Sequence, residues 1–225
     1  MREFNPLKGY PEPGAPRYVG PHIRTIENRI IASYHGEAYY DGDRRNGYGG
    51  FRYDGRWLPI AKNMYEEYGL NDDSAILQVG CEKGFLLHDF HELCPKMRVR
   101  GTEISDYAVE NSMPSVKPYI TKEPFTALPF EDGEFDLVVA IGVVYTLNLA
   151  DAIKCLKEIE RVSSRKSFIT LGAYRTPEEY QLLKWWSLLG TTLLHEDEWV
   201  KVLHHAGYTG DYKFTTARSL NLVKE

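Results

Sequence analysis

The chain has 225 residues, 43% hydrophobic and 26% charged, with a formal net charge of −5. This is the composition of a globular protein able to bury one substantial core, and no apolar run nears the ~20 residues of a membrane-spanning helix. The acidic balance argues against a nucleic-acid polymer as partner, and the scattered Cys81, Cys94 and Cys155 suit neither a disulfide framework nor a zinc site.

Residues 1–20 alternate proline, glycine and polar positions, without the apolar stretch of a secretory signal; no regular structure is assigned, and the cytoplasm is the expected compartment. Ile26, Ile30, Ile31 and Tyr34 recur at helical spacing and predict a helix over 23–34, and a second amphipathic stretch runs over 58–68 to Gly69. Between them, residues 39–57 interleave aromatics, arginines and glycines. The glycines leave the backbone permissive. Arg44, Arg45, Arg52 and Arg56 suit phosphate or carboxylate, and Tyr48, Tyr53 and Trp57 offer rings to a sugar or base. A mobile lid over a bound acceptor is expected here; a fixed loop packed on its own aromatics is the alternative. Asp41 and Asp43 lack a third carboxylate at ligand spacing, so no metal is expected.

From Ala75 onward strands and helices alternate, as in a doubly wound α/β sheet. Strands are predicted at 75–80, 98–104, 117–121, 135–141 and 167–172, with helices at 84–93, 106–112 and 149–162. Two helices follow at 177–189 and 196–206. The last two strands, near 210–216 and 220–224, read as an antiparallel hairpin. Trp185 and Trp186 read as a buried helix face or a homodimer contact. Residues 1–73 are taken as an arm and substrate lid, and 74–225 as one compact core.

The chemistry concentrates at two strand ends. The first strand runs into Gly80-Cys81-Glu82-Lys83-Gly84 and then a helix, a turn that presents backbone N–H groups to an anion. The next strand ends at Glu103, 23 residues beyond Gly80, where a carboxylate can accept both hydroxyls of a ribose.

With the segment Ala127-Leu128-Pro129-Phe130 followed by Phe135-Asp136 and an apolar strand, these motifs make residues 74–172 similar to class I S-adenosylmethionine-dependent methyltransferases. The resemblance implies a Rossmann-like, seven-stranded sheet, mostly parallel with the last strand antiparallel, and S-adenosylmethionine as cofactor. It places Gln78, Gly80, Cys81, Gly84, Glu103, Ile104, Ala127, Leu128 and Ile141 at the cofactor, and Tyr48, Arg52, Tyr53, Arg56, Trp57 and Tyr145 towards the acceptor. The sequence departs from the family at Gln78, which stands for an acidic residue, and at Glu82, which stands for a glycine. Pro124-Phe125 also replaces a common aspartate. His35 and His195 are the candidate bases.

Over its full length, with GYGGFRYDGRW at 47–57 and SLLGTTLL at 187–194, the chain resembles methyltransferases encoded in bacterial capsular-polysaccharide loci. That resemblance implies a small-molecule acceptor such as a nucleotide-linked or phosphorylated sugar. Two rivals stand beside this reading. One is a methyltransferase-fold binding protein that has lost catalysis, which the two departures favour; the other is a nicotinamide oxidoreductase, which the glycine spacing disfavours.

Overall fold

The computed structural model describes residues 1–225, the side chain of Arg165 excepted. In chain order the elements are β1 (Arg2–Glu3), β2 (Arg17–Val19), α1 (Ile26–Ser33), α2 (Glu37–Tyr40), α3 (Leu58–Glu67), β3 (Ala75–Val79), α4 (Phe85–Leu93), β4 (Arg98–Glu103), α5 (Asp106–Glu110), β5 (Ile120–Lys122), β6 (Phe135–Ala140), α6 (Leu149–Val162), β7 (Ser163–Tyr174), α7 (Pro177–Trp186), β8 (Leu194–His195), α8 (Glu196–Ala206), β9 (Asp211–Thr215) and β10 (Leu222–Lys224).

The main sheet has the order β1-β9-β7-β6-β3-β4-β5, with β8 beside the end of β7. β3 is buried along its whole length. Because successive side chains point to opposite faces, its Leu77 and Val79 join one apolar layer and its Ile76 the other. The first layer is completed by Leu156 and Ile159 of α6 and by Trp199 and Leu203 of α8. The second is completed by Ile60 and Met64 of α3 and by Leu87 and Phe90 of α4. In α6 the buried Ala152, Cys155, Leu156, Ile159 and Val162 form the helical stripe that the spacing predicts, and the Asn148 side chain caps its N-terminus by accepting from Asp151 N.

Two expectations are corrected. The late strands form no antiparallel hairpin. β9 runs parallel to β7, from Phe168↔Asp211 to Gly172↔Thr215, because α8 serves as the crossover that returns the chain to the same end of the sheet. β10 leaves that sheet and pairs in parallel with β2. Residues 1–20, left without structure from their composition, therefore supply a partner to each: β1 lies outside β9, held by the Arg2 guanidinium on Asp211 at 2.9 Å, and β2 flanks β10. Leu222 buries itself with Val19, Leu183, Leu193 and Ala217 in a small third cluster under α7.

Candidate functional site

The site begins where β3 stops. Gly80 turns with φ +68°, and a Cβ there would meet Val143 Cγ2 at 2.3 Å, so both conformation and space demand glycine. The N–H groups of Gly80 and Cys81 donate to the Thr102 carbonyl at 2.8 and 3.0 Å, locking this turn to β4. Glu103, at the end of β4, is only 3% exposed. Its carboxylate accepts from the backbone of Glu82 at 2.8 Å, Ile104 at 2.8 Å and Ser105 at 3.0 Å. Burial raises its pKa, and those three donors pull the other way.

A cavity of about 820 Å³ opens over this end of the sheet. Gly80, Glu82, Glu103, Ile104, Phe125 and Ile141 line one part, and Tyr145 and Leu193 another. The opposite wall is the arm, with Tyr40, Tyr48, Phe51, Arg52, Arg56 and Trp57. The arm is bolted down. Lys83 Nζ reaches Asp41 at 2.5 Å and the Phe51 carbonyl at 3.1 Å. Tyr107 donates to Asp41 at 2.7 Å, Tyr53 to Asp89 at 2.5 Å, and the Tyr48 hydroxyl to the Glu82 carboxyl. Phe51 stacks on Phe85 with centroids 4.7 Å apart, and Tyr40 is 2% exposed.

A ligand crevice outside the carboxyl ends of parallel strands is where doubly wound sheets bind nucleotides, and comparison with known families agrees. Residues 77–171 match the methyltransferase domain family. The match supports S-adenosylmethionine as the cofactor. Among solved structures, YcgJ of Bacillus subtilis superposes with a TM-score of 0.54 at 14% identity, over 65% of this chain and 66% of its own. A candidate methyltransferase from Bacillus halodurans gives 0.52 at 14% identity, over 65% and 68%. The (4+2)-cyclase SpnF gives 0.54 at 15% identity, over 86% and 74%. At such identities the likeness is one of fold, and the cyclase is a reminder that this fold hosts more than one chemistry. No curated protein matches significantly.

The cavity gathers Gly80, Glu103, Ile104 and Ile141 from the expected cofactor set, together with Tyr48, Arg52, Arg56, Trp57, Tyr145 and His35. Others lie elsewhere. Gln78 is buried inside β3, its Oε1 without a hydrogen-bond partner. Cys81 is a buried thiol raised in pKa by burial, with Sγ close against Gly101. Gly84 is not in the cavity lining, and a Cβ there would stand 2.9 Å from Ile120 and Val116, so close packing alone requires glycine. Ala127 is exposed and Leu128 belongs to the core; Phe125 takes the cavity wall in their place. Tyr53 turns away to Asp89, and His195 caps α8 by accepting from Asp197 N at 3.2 Å. Trp186 is half-buried against the third apolar cluster and also lines the cavity beside Arg17 and Arg24, a position periodicity had no means of giving.

The departure at Glu82 has a physical resolution. Its backbone takes the left-handed conformation, φ +53°, that the family's glycine would adopt. Burial pushes its carboxyl from 4.5 up to about 8, the Tyr48 hydrogen bond opposing and Glu103 adding to the rise. Near neutrality Glu82 is then protonated and does not repel a carboxylate at the turn. Because the folded state holds this proton while the unfolded chain releases it, stability should fall as pH rises from about 4.5 to 8. Urea denaturation at pH 5.5, 7 and 8.5 checks the sign. Glu82→Gln should flatten the slope, leaving the same-sign contributions of Glu103 and Asp89 and the opposing one of His35. An unchanged slope would mean Glu82 ionises normally.

Proposed function

We propose that the protein is an S-adenosylmethionine-dependent methyltransferase acting on a small sugar- or phosphate-containing acceptor, by O- or N-methyl transfer, in capsule or surface polysaccharide biosynthesis. One observation carries the reading: the buried Glu103 carboxylate and the Gly80 turn open into the same cavity as an aromatic, arginine-bearing wall. Gly80, Glu103, Ile104 and Ile141 would hold the cofactor, with Phe125 at its edge. The bound cofactor supplies an electrophilic methyl group on a positively charged sulfur. The chain's part is chiefly to fix the acceptor atom in line, a positioning effect that reaches about 7–11 kcal/mol in well-oriented systems.

Tyr145 keeps its proton, since burial raises its pKa, and it acts as an orienting donor towards the acceptor. His35 is the one remaining candidate base. Burial lowers its pKa, so it stands neutral and able to accept a proton at pH 7. A non-catalytic binding protein on the same fold is the second reading, favoured by Gln78 and Glu82 at positions where the family keeps an acid and a glycine. Calorimetry with S-adenosylmethionine and S-adenosylhomocysteine separates the first step. One site per chain is expected for both ligands, and no heat from either would sink the methyltransferase reading. Transfer of labelled methyl to nucleotide sugars or sugar phosphates, with loss in His35→Asn, then tests catalysis and the base.

A further inference from the structure

The cavity lining holds more arginines than carboxyls. Its carboxyls, Glu82 and Glu103, stand at the ends of β3 and β4, while a group of arginines that the domain match does not assign stands at the other side, around α7. Arg17 comes from β2, Arg24 precedes α1, and Arg44 belongs to the arm. Far apart in sequence, their guanidinium carbons approach one ring, the Trp186 indole, at 5.0, 4.2 and 5.6 Å from its centroid. All four residues line the cavity.

Several arginines elsewhere find carboxylates: Arg2 with Asp211, Arg45 with Asp43, Arg56 with Asp54, Arg161 with Glu158. Among the described residues, no ion pair includes Arg17, Arg24 or Arg44. What they have is carbonyl oxygen. Arg24 donates to Trp186 O at 2.5 Å and to Arg44 O at 3.4 Å, and Arg44 to Gly47 O. Those contacts engage the C-terminus of α7 and the arm, and they supply only partial negative charge against three full positive ones. Desolvation lowers the pKa of Arg24 to about 10, and Arg44, Arg29 and Arg17 push it down further; Arg17 is lowered by burial and by Arg44 in the same way. Three like charges drawn together in a partly dehydrated pocket lack the compensation that folding ordinarily provides.

We propose that Arg17, Arg24 and Arg44 form an oxyanion subsite, floored by the Trp186 ring, that takes a phosphoryl group of the acceptor. This rests on the methyltransferase reading for what the rest of the cavity does, and it names the acceptor class more narrowly. A phosphate monoester matches the demand better than a carboxylate. It offers up to two negative charges and three oxygens to guanidinium forks converging from three segments. The Trp186 ring attracts the cations by its quadrupole, and the acceptors already present are the neutral carbonyls of Trp186, Arg44 and Gly47, which leave the positive charge for the phosphoryl oxygens. A phosphoryl group held near α7 then leaves the ends of β3 and β4 to the cofactor. Because the subsite joins β2, the arm and α7, filling it would also tie the N-terminal segment to the core.

The test is calorimetric titration of the full-length protein with inorganic phosphate, glucose 1-phosphate and acetate at constant ionic strength, repeated in Arg17→Gln, Arg44→Gln and the double variant. The Arg17 side chain makes no hydrogen bond, and its backbone pairing with β10 survives substitution, so the variant should stay folded, which the thermal transition verifies. Phosphate and glucose 1-phosphate should bind saturably, the sugar phosphate more tightly and acetate much more weakly. Each variant should weaken phosphate by roughly tenfold or more, as for loss of a charge-assisted contact, while S-adenosylhomocysteine affinity stays unchanged. In the wild type, raising NaCl should weaken phosphate. Phosphate binding that is absent, or equal in wild type and variants, overturns the proposal, and acetate binding as tightly as phosphate replaces the phosphoryl group by a carboxylate. Since cofactor binding is read separately, failure of S-adenosylhomocysteine to bind the wild type would strike the methyltransferase reading and leave the phosphate result standing.

Discussion

Glu103→Ala should weaken S-adenosylhomocysteine by about 1.5–3 kcal/mol, roughly 10- to 150-fold, and destabilise the protein in the same stroke. The binding loss follows from removing a buried carboxylate that faces the cavity at the rim of the Gly80 turn. The stability loss has a separate origin: the carboxylate is the acceptor for the N–H groups of Glu82, Ile104 and Ser105. Stranding buried donors costs about 1–3 kcal/mol each when no water replaces the acceptor. The adjoining cavity admits water, and burial already disfavours the charge, so a total near the low end, about 3 kcal/mol, is expected. Glu103→Gln divides the two effects. It keeps one acceptor oxygen for the turn while its amide group replaces the other, so it should remain folded at physiological temperature and still bind the cofactor product poorly. Urea denaturation and calorimetry read them independently, and wild-type affinity in a folded Glu103→Gln protein would remove the carboxylate from the cofactor site.

Glu103 was legible in the sequence because two rules meet on it: an apolar strand must end there, and its distance from Gly80 is that of one helix and one strand. The strands and helices from Ala75 to Ala206, the short β8 excepted, were legible for the same kind of reason, since burial on both faces of β3 and on one stripe of α6 writes directly into the residue pattern. Partners were not. Alternation over 210–216 and 220–224 says that each is a strand and nothing about its neighbour, and the preference for a hairpin yielded to the crossover through α8. The expected Ala127 and Leu128 missed the cavity wall by two residues because the backbone path after β5 decides which side chain turns inward, and Phe125 does. His195 looked like a base from its residue type alone, whereas its imidazole caps a helix. Arg17 and Arg24 left no trace in any periodicity. They sit in or beside a proline- and glycine-rich stretch and gain meaning only when β2 pairs with β10 and brings them over Trp186.

The arm is expected to behave as a wall rather than a lid, and Asp41→Ala should expose the reason. Asp41 holds the Lys83 ammonium at 2.5 Å and the Tyr107 hydroxyl at 2.7 Å on one oxygen, and the Phe51 N–H at 2.9 Å on the other. Lys83 is 6% exposed. Removing Asp41 leaves that ammonium buried with the Phe51 carbonyl and the Tyr40 and Tyr107 rings but no counter-charge, a loss of about 3–5 kcal/mol for a broken buried pair. Asp41 keeps 26% of its side chain in contact with solvent, which places the expectation near 3 kcal/mol. Lys83→Met in the Asp41→Ala background should recover part of the loss, because it removes the stranded charge and returns an apolar stem to the same space.

Hydrogen exchange gives the matching local reading. In the wild type without ligands, amides of 39–57 should be protected, since Tyr40 is buried and Tyr48, Phe51 and Tyr53 are each held against the core; in Asp41→Ala that protection should fall well before the central strands are affected. Free exchange across this segment in the wild type would instead restore the mobile lid that its glycines first suggest. If the wall holds, deleting residues 1–57 would take Tyr40 off Tyr107 and Phe51 off Phe85 and remove β1 and β2 from their partners, so the truncated chain should lose stability along with turnover. Composition made the arm look optional; its side chains make it part of the fold.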